Sequence, residues 1–346
     1  MDSSTVFMWL GFILAAYSVV GNDVIQTLGT FLTSNEKRVK WYVLWAYAGS
    51  IITVILIIGY LGLGNQLGLG GDDIAFDRLD KINIPDTLSW YYVLPPLVLL
   101  FVTRLGIPVS TTFMILTFFS AKSLGGMVQK SVMGYLIAFG LGILIFSLIA
   151  KITEKRFIET PMDGSQQQGI WTNTKFWTAA QWLSTAFLWS QWLTQDLANI
   201  YVYLGKDDMT PTSFIFSLVV LVGLLGYIFY SRGGKIQDIV RSKTNTADIR
   251  AATFVDLIYG IVLLVFKQNI LGLWDAKLPM STTWVFIGLL AGRELALRWR
   301  LEDKIERKEI KAILTDLGKV ILGLVISVAL VVLISLLSGN SEILSF

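Results

Sequence analysis

Runs of apolar residues separated by short polar stretches dominate the 346-residue chain, and their lengths set the first constraint. A helix needs about 20 mostly apolar residues to cross a hydrocarbon core roughly 30 Å thick. The first run, 6–20, meets the polar cluster Gly21-Asn22-Asp23 before apolar residues resume; further runs follow at 42–61, 90–102, 109–119 and 132–149. After a polar interval the pattern returns at 176–204, 214–230, 252–266, 282–291 and 322–337. The pattern predicts an all-α polytopic membrane protein with five hydrophobic regions in 1–150, a polar linker at 151–175 and five more regions in 176–346. Run 109–119 would cover only about 16 Å as a helix. A helix that stops halfway leaves backbone groups that only protein or a water-filled cavity can satisfy, so broken or re-entrant helices are expected.

Composition sharpens this picture. Hydrophobic residues make up 54% of the chain against 15% charged, the mean hydropathy is +0.64, and 30 glycines and 12 tryptophans suit close helix contacts and headgroup anchoring. Cysteine and histidine are both absent, which removes disulfides, thiolate nucleophiles, imidazole bases and zinc sites built on them. Nothing here predicts an enzyme or an organic cofactor. A net charge of +3 without a long basic tract argues against nucleic acid as a partner. No basic leader precedes the first run, so the expectation is a multi-pass protein of the plasma (inner) membrane with the lipid bilayer as its surroundings.

The two halves repeat each other. Pro-Val-Ser-Thr-Thr at 108–112 matches Pro-Met-Ser-Thr-Thr at 279–283, a separation of 171, and Asn-Asp-Val-Ile-Gln at 22–26 matches Gln-Asp-Leu-Ala-Asn at 195–199, a separation of 173. Basicity swaps between corresponding connections: 34–41 carries Lys37, Arg38 and Lys40 and 63–88 is acidic, whereas 205–210 is poor in bases and 231–250 is rich in them. An odd number of crossings per half places the second copy upside down, which is what the swap requires. Segment 293–319, with acids and bases three or four apart, reads as a cytoplasmic amphipathic stretch within the second repeat. Inverted repeats with broken helices are a recurrent transporter plan.

The repeated residues carry the candidate chemistry. Ser110, Thr111 and Thr112, with Ser281, Thr282 and Thr283, place hydroxyls beside the free N–H groups of two helix starts, where an oxyanion could be held without a buried cation. The alternative is that they only cap those helices. Asp23, with Asn22 and Gln26, and Asp196, with Gln195 and Asn199, offer carboxylate and amide oxygens suited to sodium, with a proton as the other option. Pairing to lysines or helix capping would be the simpler role. Asp256 has no counterpart in the first half and reads as a second cation site, a gate or an interfacial acid. Arg104 and Arg293 read as snorkelling stop signals, Trp171 and Trp177 as interfacial anchors, and Trp182, Trp189 and Trp192 as packing residues. The glycine-rich 62–71 lacks the lysine of a nucleotide loop.

These duplicated strings resemble those of the inorganic phosphate transporters that couple uptake to sodium or protons, of which this chain would be a divergent member. The resemblance spans both halves. It implies an inverted-repeat symporter in which Ser110, Thr111, Thr112, Ser281, Thr282 and Thr283 bind the anion, while Asn22, Asp23, Gln26, Gln195, Asp196 and Asn199 serve the coupling cation, sodium above all. It also implies a homodimer. The family usually has Asn-Asp-Val-Ala-Asn in both copies, where Gln26 and Gln195 stand for asparagines here, and commonly histidine where Phe113 and Trp284 stand. Those changes keep sulfate or another small oxyanion as a rival solute. An intramembrane enzyme or receptor, the reading from another class, would gather its notable residues in one asymmetric site, not in duplicated pairs.

Overall fold

The computed structural model describes residues 2–105, 109–149, 160, 169–205, 209–232, 248–301 and 307–338. All regular structure among them is helical. The first half holds α1 (Ser3–Asn35), α2 (Trp41–Tyr60), α3 (Leu94–Arg104), α4 (Thr111–Phe119) and α5 (Leu124–Ile149). The second holds α6 (Thr174–Asp196), α7 (Ala198–Tyr201), α8 (Pro211–Tyr230), α9 (Ile249–Lys267), α10 (Thr282–Leu301) and α11 (Arg307–Ser338). Among the described residues six stretches, Ser3–Val24, Trp41–Tyr60, Ala121–Leu148, Pro211–Tyr230, Ile249–Lys267 and Ile310–Leu336, are long and apolar enough to cross a membrane, so the protein is multi-pass. Pro108, most of the 151–175 linker and most of 231–250 lie outside the described residues.

Three local features differ from the sequence reading. The polar cluster at 21–23 sits inside α1, which continues unbroken to Asn35. Asn22 sends its Nδ2 protons sideways to Asp23 Oδ1 at 2.7 Å and to Val109 O at 2.8 Å, so its side chain does not compete for the backbone of α1. The interruption falls in the other copy, where α6 ends at Asp196 and the short α7 begins at Ala198. The run at 282–291 is not short either, because α10 continues through charged residues to Leu301, with Arg298 Nε on Glu294 Oε1 at 3.1 Å one turn away. Residues 293–301 thus close α10, and 307–319 open α11.

Arg293 and Trp177 also move inward from their expected places. Arg293 is buried with its guanidinium 5.4 Å from the Phe146 ring centre and does not snorkel. Trp177 is buried against Ile249 and Ala251 and donates to Ile170 O at 2.9 Å. Trp189 and Trp192 do pack between helices, stacked at 4.9 Å.

Helix pairing follows small residues. Gly288 and Gly292 are four apart on one face of α10, and α5 passes directly over them: a Cβ added at Gly292 would stand 2.2 Å from Phe139 O, and one at Gly288 2.5 Å from Tyr135 O. Without water to drive apolar burial, this close approach is how two membrane helices gain dispersion contacts. The contacts come in matching sets: α1 packs on α3 as α6 packs on α9, α5 packs on α10 as α4 packs on α11, and α2 meets α8. Gly292→Ala should therefore lower stability by about 1–3 kcal/mol through overpacking. A thermal unfolding scan of the purified variant against the parent checks this.

Candidate functional site

The starts of α4 and α10 converge. Phe113 and Trp284, each two positions into its helix, meet edge to face at 5.8 Å between ring centres. Both serines act as caps: Ser110 Oγ accepts from Phe113 N at 3.2 Å, and Ser281 Oγ accepts from Trp284 N at 3.3 Å. The threonines do something else. Thr111 donates to Asp23 Oδ2 at 2.5 Å, Thr112 donates to Met280 O at 3.2 Å, and Tyr259 donates to Thr282 O at 3.1 Å. Thr283 is buried beside them. The hydroxyl motif thus divides into a capping serine and threonines that face the neighbouring motifs.

The two acidic motifs meet through the first hydroxyl motif. Asn199 Nδ2 donates to Asp196 Oδ1 at 2.9 Å, to Thr111 Oγ1 at 3.0 Å and to Thr112 Oγ1 at 3.4 Å. A chain of hydrogen bonds therefore runs from Asp23 through Thr111 and Asn199 to Asp196, and the two carboxylates lie close enough to feel each other's charge. Residues 88 apart on either side of Thr111 are joined in one cluster. Neither Asp23 nor Asp196 has a lysine or arginine ion-pair partner among the described residues, so the simple pairing alternative does not describe them.

What this cluster leaves unmatched is informative. Among the described residues, Asn22 Oδ1, Gln26 Nε2, Gln195 Nε2 and Oε1, Asp196 Oδ2, Asn199 Oδ1 and Trp284 Nε1 are buried polar atoms without a hydrogen bond. Each such atom costs about 1–3 kcal/mol. Seven of them together would rival the whole net stability of a typical domain, about 5–15 kcal/mol. Four are oxygens, the ligand set of a hard cation, and three are N–H groups, the ligand set of an anion.

Asp256 shows the contrasting case. Its carboxylate accepts from Thr30 Oγ1 at 2.5 Å, Thr185 Oγ1 at 2.6 Å and Gln181 Nε2 at 3.4 Å, and Gln181 is held in turn by Asn35 at 2.9 Å. It ties α1, α6 and α9 together and leaves no oxygen orphaned, unlike Asp196. Three cations that the sequence reading passed over, Arg78, Lys130 and Lys267, are buried. Lys130 carried a usable signal, a lone cation within the largely apolar 26-residue α5.

No family model and no curated protein matches this chain. A solved structure described as "The sodium-dependent phosphate transporter" matches with a TM-score of 0.59 at 15% sequence identity, over 95% of this chain and 96% of that one. The match shows that the two share an architecture across nearly their whole lengths.

Because the Asp256 cluster is matched by neutral donors, its contribution is structural. Thr185→Val takes away one donor to a buried carboxylate and should cost about 1.5–3 kcal/mol. Loss of thermal stability in the purified variant is the measurement.

Proposed function

We propose that this chain is a secondary transporter of the plasma membrane, a symporter that carries a small tetrahedral oxyanion, phosphate before others, together with sodium. The carrying observation is that seven buried polar atoms without a partner fall on the duplicated acidic motifs and on Trp284, directly after the second hydroxyl motif, where the two helix starts converge. Unpaired oxygens on Asn22, Gln195, Asp196 and Asn199 suit a desolvated sodium ion better than a proton, which needs only one of them. The N–H groups of Gln26 and Trp284, with the Thr111 and Thr282 hydroxyls and two helix N-termini, supply donors for an oxyanion. Carboxylates beside those donors favour an oxyanion that still carries a proton at neutral pH. Phosphate does; sulfate does not.

The matching helix contacts and the shared architecture with a sodium-dependent phosphate transporter support two inverted repeats with a site between them. Coupling follows from adjacency. A cation held at Asp23 and Asp196 lowers the electrostatic cost of bringing an anion to Thr111, because one hydrogen-bond chain joins all three.

Asp23→Asn and Asp196→Asn should each abolish phosphate uptake driven by a sodium gradient into proteoliposomes, with the protein still monodisperse. Full sodium-dependent uptake in both would sink the assignment. Thr111→Val and Thr282→Val keep side-chain shape and remove a donor, so calorimetric affinity for phosphate should fall roughly ten- to a hundredfold. The inverted arrangement has its own check. Gln66→Cys and Ser231→Cys, both at exposed positions in a chain without native cysteine, should be labelled by an impermeant thiol reagent from opposite sides of the membrane.

A further inference from the structure

The sequence reading gave the anion no buried positive side chain, yet Arg78, Lys130 and Lys267 are all at most 2% exposed and donate to the segment 275–278 before the second hydroxyl motif or to the end of α6. The acidic loop after α2 turns Arg78 inward. Asp73 Oδ1 accepts the N–H groups of Ala75 and Asp77 at 2.8 and 3.1 Å, and Phe76 and Asp77 take left-handed φ values of 55° and 59° just before Arg78. The surrounding acids are engaged at the surface: Lys277 pairs with Asp77 and Asp80, and Lys81 pairs with Asp275 at 3.4 Å. None of the three buried cations has an ion-pair partner among the described residues. Burial lowers the Arg78 guanidinium to about 10, still charged at neutral pH.

Their hydrogen bonds distinguish them. Lys130 Nζ spends its protons on the carbonyls of Asp275, Ala276 and Leu278 at 2.9, 3.3 and 2.6 Å and so holds the segment leading to Ser281. Arg78 donates from Nε to Thr194 O at 3.4 Å and from one terminal nitrogen to Ala276 O. Lys267 donates once, to Gln191 Oε1 at 2.6 Å. A guanidinium has five N–H groups and an ammonium three, so both keep donors that no described residue accepts. Gln191, Thr194 and Gln195 share one face of α6, and the Gln195 amide is itself unmatched. Asp196 and Thr282 follow directly.

We propose that Arg78, Lys267 and the Gln195 amide form a second anion site, an anteroom that binds a tetrahedral oxyanion beside the hydroxyl cradle. It rests on the transport reading above for the identity of its ligand. Two buried cations with no carboxylate in contact are costly in a low-dielectric interior, and a multiply charged oxyanion offsets that cost while gaining fork-like contacts from the guanidinium. Cationic attraction of this kind also raises the local substrate concentration at a cleft. Leu79, next to Arg78, lines a cavity of about 1140 Å³ together with Lys81 and Lys277.

Equilibrium dialysis of labelled inorganic phosphate against the full chain, purified free of lipid in maltoside micelles, tests this in a background that disables the cradle. The Thr111→Val/Thr282→Val protein should retain weak phosphate binding. Adding Arg78→Gln or Lys267→Gln should reduce that residual binding at least tenfold, while adding Lys267→Arg should preserve it and show that the protein still folds. Residual binding that is unchanged by both Gln substitutions, or no residual binding where the parent binds phosphate, overturns the anteroom and leaves the transport reading intact. A parent that binds no phosphate overturns both. Displacement of the residual phosphate by stoichiometric anionic phospholipid would assign the site to a lipid headgroup and overturn it as a substrate anteroom.

Discussion

In hydrocarbon there is no water to accept or donate a hydrogen bond, so every polar atom between the helices must find a protein partner or a ligand. The α-helices meet this requirement for their backbones internally. For side chains the requirement separates two kinds of buried polar cluster that sequence alone cannot tell apart. Asp256 is surrounded by Thr30, Thr185 and Gln181 and closes its own account, which makes it a clasp between three helices. Asn22, Gln26, Gln195, Asp196 and Asn199 remain partly unmatched although they are equally buried, which marks them for something the chain itself does not supply.

Close helix contact is what permits that cluster to exist. Gly288 and Gly292 let α10 press against α5, and this fixes where the start of α10 stands relative to α4. With Phe113 and Trp284 in contact, the threonines of one half reach the carbonyl and amide groups of the other. In the proposed mechanism the coupling of cation to anion depends on this exchange between halves, because Thr111 bonds to Asp23 while accepting from Asn199. A shift of one helix against another would break the chain at that hydroxyl, which is the kind of discrete change alternating access requires.

The loop between α2 and α3 shows how surface acids can serve the interior. Asp73 builds the turn, Asp77 and Asp80 take up Lys277, and the outcome is a guanidinium delivered to the carbonyls of Thr194 and Ala276. As a count of charges the loop reads only as an acidic segment. Its geometry turns it into a source of buried positive charge.

Much was legible in the chain itself. Long apolar runs require helices because only an internally bonded backbone survives in lipid, and the helical, multi-pass character follows from that requirement. The duplicated strings, at separations of 171 and 173, also singled out Asp23, Thr111, Asp196 and Asn199, which now stand in one hydrogen-bonded chain, since a polar side chain in an apolar run must find a partner or a ligand. Hydropathy could not place the helix break, because whether Asn22-Asp23 interrupts α1 depends on Val109 being near enough to accept from Asn22. It could not separate the capping serines from the threonines that reach a carboxylate, or see that Arg78, Lys130 and Lys267, scattered over nearly 200 residues, converge on the segment before Ser281 and the end of α6. Those outcomes depend on which donor meets which acceptor across the bundle, and only the packing of distant helices brings them within hydrogen-bonding reach of each other.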